Sequence, residues 1–165
     1  MPGIGSQAAG MVVKLLSSSS GVSAYLANQQ DGGGASDSAP AEIPIRAQNV
    51  AADLAEAGEI VRYPTIQVYC EKLANSLIEK FRTFSGTAQM VVEVRHSQDR
   101  LQDLQEGLER YTDALTQVLD GNRGDWGSGM FYAGGYQVAY GAVKHGGRNY
   151  IQVAKVTFEI GVSIS

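Results

Sequence analysis

From Leu101 onward, apolar side chains return every three or four residues. Leu101, Leu104, Leu108, Tyr111, Leu115 and Val118 fall on one stripe, while Gln102, Asp103, Glu106, Glu109, Arg110 and Asp113 lie off it. That period predicts a long amphipathic helix. Gly121-Asn122 follows the last periodic residue and stops it. Ser97 or Asp99 stands where a side-chain oxygen can cap an unpaired first-turn amide. Near the far end the period changes to two. Val156, Phe158, Ile160, Val162 and Ile164 alternate with Thr157, Glu159, Gly161 and Ser163, predicting a strand with one dry and one wet face.

The same alternation marks Thr65–Cys70, where Ile66, Val68 and Cys70 face one way, and Met90–His96, where Met90, Val92, Val94 and His96 share a side. Between them Leu73, Leu77, Ile78 and Phe81 are spaced as on a helix, which predicts one over Lys72–Phe84, stopped by Ser85-Gly86. Tyr136–Lys144 and Asn149–Ser165 are expected to form a β-hairpin across His145-Gly146-Gly147-Arg148, whose glycines suit a tight turn. The expected class is therefore α+β: a mixed or antiparallel sheet packed against one long amphipathic helix, with a C-terminal hairpin. The expected core is Ile66, Val68, Val92, Val94, Leu101, Leu104, Leu108, Tyr111, Leu115, Val118, Val138, Val156, Phe158 and Ile160.

The first third differs. Gln7–Leu16 suits a short helix, halted by Ser17–Ser20, and Gly21–Leu26 a second ordered piece. Gln29–Pro40 is rich in Gly, Ser, Asp and Ala and offers little apolar surface against its ordering entropy, so a flexible linker is expected. Ala47–Ala57 has a modest helical pattern around Val50 and Leu54, ended by Gly58. Residues 1–58 are thus expected to form a helical, partly flexible N-terminal region, and 59–165 the α/β domain.

A chain of 165 residues can bury one good core and a small satellite. Its net charge of -4, with Arg95, Arg100, Arg110 and Arg123 scattered among acids, argues against tight nucleic-acid binding. Cys70 is the single cysteine and has no intrachain partner, which points to a reducing compartment. No opening signal peptide or spanning stretch is expected from the pattern.

Catalytic chemistry finds little support. His96 and His145 are the two histidines, with no cysteine or paired carboxylate at metal-ligand spacing, so no metal site and no cofactor is expected. His96 on an apolar strand face reads as a structural histidine. No Gly-x-Ser-x-Gly elbow is present, and Gly32-Gly33-Gly34 lacks the strand and Lys-Ser/Thr pair of a phosphate loop. Cys70 beside Glu71 gains no thiolate stabilisation. The chain is expected to be an assembly protein and not an enzyme. Candidate interface residues sit in the Gly-rich connector 122–135, where Trp126, Phe131 and Tyr132 either fold back over the core or project as anchors, with Arg123 and Asp125 as rim partners.

Tyr63-Pro64-Thr65-Ile66-Gln67-Val68-Tyr69, the strand Val91-Val92-Glu93-Val94-Arg95 leading to Leu101, and the run from Gly134-Gly135-Tyr136 to Phe158 together resemble the tail-terminator or tail-to-head-joining (neck) proteins of long-tailed bacteriophages. The resemblance covers roughly residues 60 to 165 and lies in the order of elements, not in a signature. It implies a homo-oligomeric ring, commonly a hexamer, in the virion neck. Its partners would be the tail-tube protein and the head connector, with DNA passing the lumen without specific binding and no membrane involved; the subunit would be made in the host cytoplasm. Two other readings stand beside it: a head-closure, connector or tail-tube subunit, and a small-molecule-binding α/β domain with a pocket between helix and sheet.

Overall fold

The structure, a computed structural model, describes residues 3–30, 43–50, 63–146 and 149–165. Three helices and eight strands are present among them: α1 (Ile4–Ser17), α2 (Val22–Gln30), β1 (Ile45–Ala47), β2 (Thr65–Asn75), β3 (Phe84–Gln98), α3 (Leu101–Asp120), β4 (Gly124–Gly127), β5 (Met130–Tyr132), β6 (Gln137–Tyr140), β7 (Lys144–Gly146) and β8 (Asn149–Ile164). The class is mixed α+β. One sheet runs β1-β2-β3-β8-β5-β4, and β6 and β7 also pair with β8. β1 lies parallel to β2; the other pairs are antiparallel.

β3 and β8 are the backbone of the sheet, in register from Phe84↔Ile164 to Gln98↔Tyr150. Their apolar faces coincide: Ala88, Met90, Val92 and Val94 meet Ile160, Phe158, Val156 and Ala154, all buried. Against this face α3 lays the predicted stripe. Leu104, Leu108, Tyr111, Leu115 and Val118 are buried, joined by Ala114 and Leu119. The N-terminal helices enter the same core through Ile4, Ala8, Val12, Leu16, Val22 and Leu26. Two members of the expected core differ. Leu101, the first residue of α3, is exposed, and Val138 is half-buried, packed against the core from its edge.

The helix expected over Lys72–Phe84 is not there. β2 continues past an irregularity between Cys70 and Lys72, and its pairing with β3 runs on to Asn75↔Gly86. The helical spacing of Leu73, Leu77, Ile78 and Phe81 lost to strand pairing. Asn75 secures the turn instead: its Oδ1 accepts from the backbone N–H of Leu77 (3.4 Å) and of Ser85 (3.0 Å), and its Nδ2 donates to the Thr83 carbonyl (3.2 Å). An Asn side chain used in this way competes with helical hydrogen bonding. Ser85 and Gly86 belong to β3, where a Cβ at Gly86 would collide with the Ala74 carbonyl oxygen.

Smaller departures follow the same logic. Ser97 lies within β3 and the N-cap of α3 is Arg100, with no side-chain cap bond, so neither Ser97 nor Asp99 caps the helix. At the other end the Asn122 amide donates to the Val118 carbonyl at 2.7 Å, so the asparagine closes α3. Ile45–Ala47 is strand β1 where a helix is expected to begin, and 48–50 are not helical; residues 51–57 of that expected helix and the linker from residue 31 lie outside the described residues. Gln29 and Gln30 end α2. The Tyr136–Lys144 strand is divided into β6 and β7, and residues 147–148 of the expected hairpin turn are outside the described residues.

Candidate assembly interface

The Gly-rich connector forms the small β4–β5 ribbon. Its turn needs positive φ at Gly127, Ser128 and Gly129 (84°, 53° and 77°), which is why two of the three are glycine. The Asp125 carboxylate accepts from the Gly127 N–H at 2.8 Å and so helps to set this turn. Met130 and Phe131 pair with Val162 and Gly161 of β8. Alternation along β5 sends Met130 and Tyr132 inward and Phe131 outward.

The three aromatics therefore part company. Tyr132 is fully buried, with its ring 5.5 Å from both Trp126 and Phe158, and its hydroxyl donates to the Gly135 carbonyl at 3.0 Å. Burial, together with the nearby Asp120 carboxylate, pushes its phenol up from the usual tyrosine value. Tyr132 is not a surface anchor. Trp126 is half-buried and donates its indole N–H to the Asn122 carbonyl at 2.7 Å, so it too folds back. Phe131 is half-exposed and alone of the three projects. Arg123 stays at the surface, 3.2 Å from Asp120, with its guanidinium lying over Gly134.

Sequence reading missed a larger feature: the β2–β3 arm. At its tip Leu77 and Ile78 are exposed and Phe81 is wholly so (102%). Leu77 and Phe81 hold φ of 48° and 66°, a region bulky residues rarely adopt. Glu79 ties the tip down, accepting from Arg82 Nε at 3.0 Å and from the Ser163 hydroxyl at 3.1 Å. The signal was present as a helical spacing of apolar residues, but nothing in that spacing says the residues are outside.

A second unread feature lies on the sheet face away from α3. Glu93 and Arg95 stand two apart on β3 and pair at 3.1 Å, both buried. Tyr69 donates its hydroxyl to Glu93 at 2.7 Å, and Lys155 lies 3.4 Å away. Burial pushes the Glu93 carboxyl up, but Tyr69, Arg95 and Lys155 together outweigh it and hold it below the usual carboxylate range. The cluster also grips incoming chain: Arg95 donates to the Val50 carbonyl at 2.6 Å, and the Gln67 amide exchanges bonds with both backbone groups of Val50. It is a clasp, with every charge engaged by a neighbour.

Among the described residues no three His, Cys, Asp or Glu side chains are grouped to hold a metal ion. His96 is buried with its ring edge-on to Tyr111 at 5.1 Å, and His145 sits at the surface, edge-on to Tyr150. Cys70 is half-buried, and burial raises its thiol above the ordinary value, which disfavours the thiolate. No described helix is long and apolar enough to cross a membrane. A scan against protein-family models finds no match, and no curated protein matches the chain.

Proposed function

We propose that this chain is a structural, non-enzymatic subunit that assembles into a closed homo-oligomeric ring at the neck of a long-tailed bacteriophage, ending the tail tube and joining it to the head connector. The observation that carries the assembly half of this reading is the apolar surface left on a well-packed subunit. Phe81, Ile78 and Leu77 at one tip and Phe131 nearby are large hydrophobic groups in water, and apolar surface of that kind marks interaction sites. The neck assignment comes from the resemblance in residues 60 to 165, including the C-terminal pairing expected between residues 136 and 165. The polar face of β8, with Lys155, Thr157 and Glu159, suits a wall that meets water in a lumen through which DNA passes without being held. A hexamer is the ring size the resemblance implies.

Electron micrographs of the purified protein, alone and mixed with tail tubes, test this. Rings that cap one tube end are expected. Rings that stack along the tube, or bind only the connector, would favour a tube or head-closure subunit. A protein that stays monomeric at every concentration and meets neither partner would overturn the reading.

A further inference from the structure

We propose that the β2–β3 arm of one copy docks on the outer face of α3 of the next, so that arm and helix are the two halves of one head-to-tail interface. The inference rests on the ring reading above and names the surfaces that make it. The arm supplies an apolar tip, Leu77, Ile78 and Phe81, with exposed Lys80 beside it and Arg82 paired to Glu79. The outer face of α3 supplies the opposite sign. Glu106, Glu109, Asp113 and Asp120 are exposed at helical spacing. Two exposed aromatics border that acidic stripe. Tyr140 meets the Thr112 hydroxyl at 2.9 Å, and Tyr136 donates to Asp120 at 3.4 Å. One surface is apolar with an excess of positive charge from Lys80 and Arg82 over Glu79; the other is aromatic and anionic.

Their placement matters as much as their chemistry. The arm is built on β2 and β3, whereas β6, which carries Tyr140 and directly follows Tyr136, pairs with β8 on the side away from β3. A subunit with complementary surfaces on opposite sides of its sheet binds heterologously, and such contacts close into rings when the rotation permits. A twofold pair would use the same arm–face contact twice and stop at two copies.

Sedimentation velocity on four samples tests the pairing: wild type, the arm variant I78S/F81G, the face variant E109K/D113K, and the two variants mixed in equal amounts. All four residues are exposed, and glycine fits the positive φ at position 81, so melting temperatures should stay at the wild-type value. Each variant alone should need roughly thirtyfold more protein to associate, as expected for loss of an interface hot spot. The mixture holds one intact arm and one intact face, so it should form mixed dimers and go no further. Added salt should weaken wild-type association. Rings formed by the arm variant at wild-type concentrations would overturn the docking and leave the ring reading standing. Normal rings that no longer bind tail tubes would assign the arm to a different protein and also overturn it. Absence of any wild-type ring would remove the ring reading and this inference together.

Discussion

Gly107 of α3 lies directly over His96 of β3: a Cβ built on the glycine would sit 2.6 Å from His96 Nε2. The helix can approach the sheet here because that one position has no side chain. The histidine is buried edge-on against Tyr111, one helical turn further along, and cannot simply swing away. Alanine at 107 would gain about 1 kcal/mol in helix propensity, but overpacking a tight contact costs about 1–3 kcal/mol. Gly107→Ala should therefore lower stability despite improving the helix. Thermal melts of G107A, H96A and the double variant check this, since alanine at 107 should be better tolerated once His96 is gone. Equal cost in both backgrounds would mean that the contact is slack.

Leu108→Ala should cost roughly 2–5 kcal/mol, because Leu108 is fully buried at the middle of the helix–sheet seam. Urea denaturation measures it, with an unchanged slope separating lost stability from a changed fold.

The clasp on the opposite sheet face sets an acid limit. Glu93 has its carboxyl held below the unfolded value of about 4.3. Its contribution is therefore present above about pH 4.3 and is lost as the pH falls through the lower folded value. Glu93→Gln should flatten stability against pH in that acidic window. It should also destabilise the protein at pH 7 by about 3–5 kcal/mol, because Arg95 stays buried without its carboxylate. A wild-type acid limb in the glutamine variant would remove Glu93 from this role.

Phe131 and Tyr132 are neighbours with opposite expectations. Tyr132→Ala should cost about 3–5 kcal/mol by emptying the space between Trp126 and Phe158. Phe131→Ser should change stability by no more than about 0.5 kcal/mol, and its effect should appear in association instead. Melting curves beside sedimentation profiles separate the two outcomes. Parallel losses in both would place Phe131 in the core.

What was legible in the chain followed from periods that one surface enforces. The stripe of α3 and the alternation of β8 each answer to a single dry neighbour, so spacing alone located them and most of their buried residues. Leu73, Leu77, Ile78 and Phe81 have equally good spacing but answer to none, and strand pairing through Asn75↔Gly86 decided their conformation. Glu93 and Arg95 read as ordinary wet-face positions because their cover, Val50, arrives from far away in sequence. Trp126, Phe131 and Tyr132 could be read two ways; only the pairing of β5 with β8 determines which ring points in.

β8 gives the fold its order of events. β3 spans its full length on one side, while β7, β6 and β5 divide the other between them. β3, which pairs along the whole of β8, is distant from it in the chain, so this central pairing should be slow to form. Until β8 docks, β6 and β7 have no strand to join, the β4–β5 ribbon has no sheet to extend, and half of the bed beneath α3 is missing. During synthesis the arm is made well before the surfaces to which we assign it. On the docking proposed above, a nascent subunit carries a plug without a socket until β8 closes the sheet beneath α3.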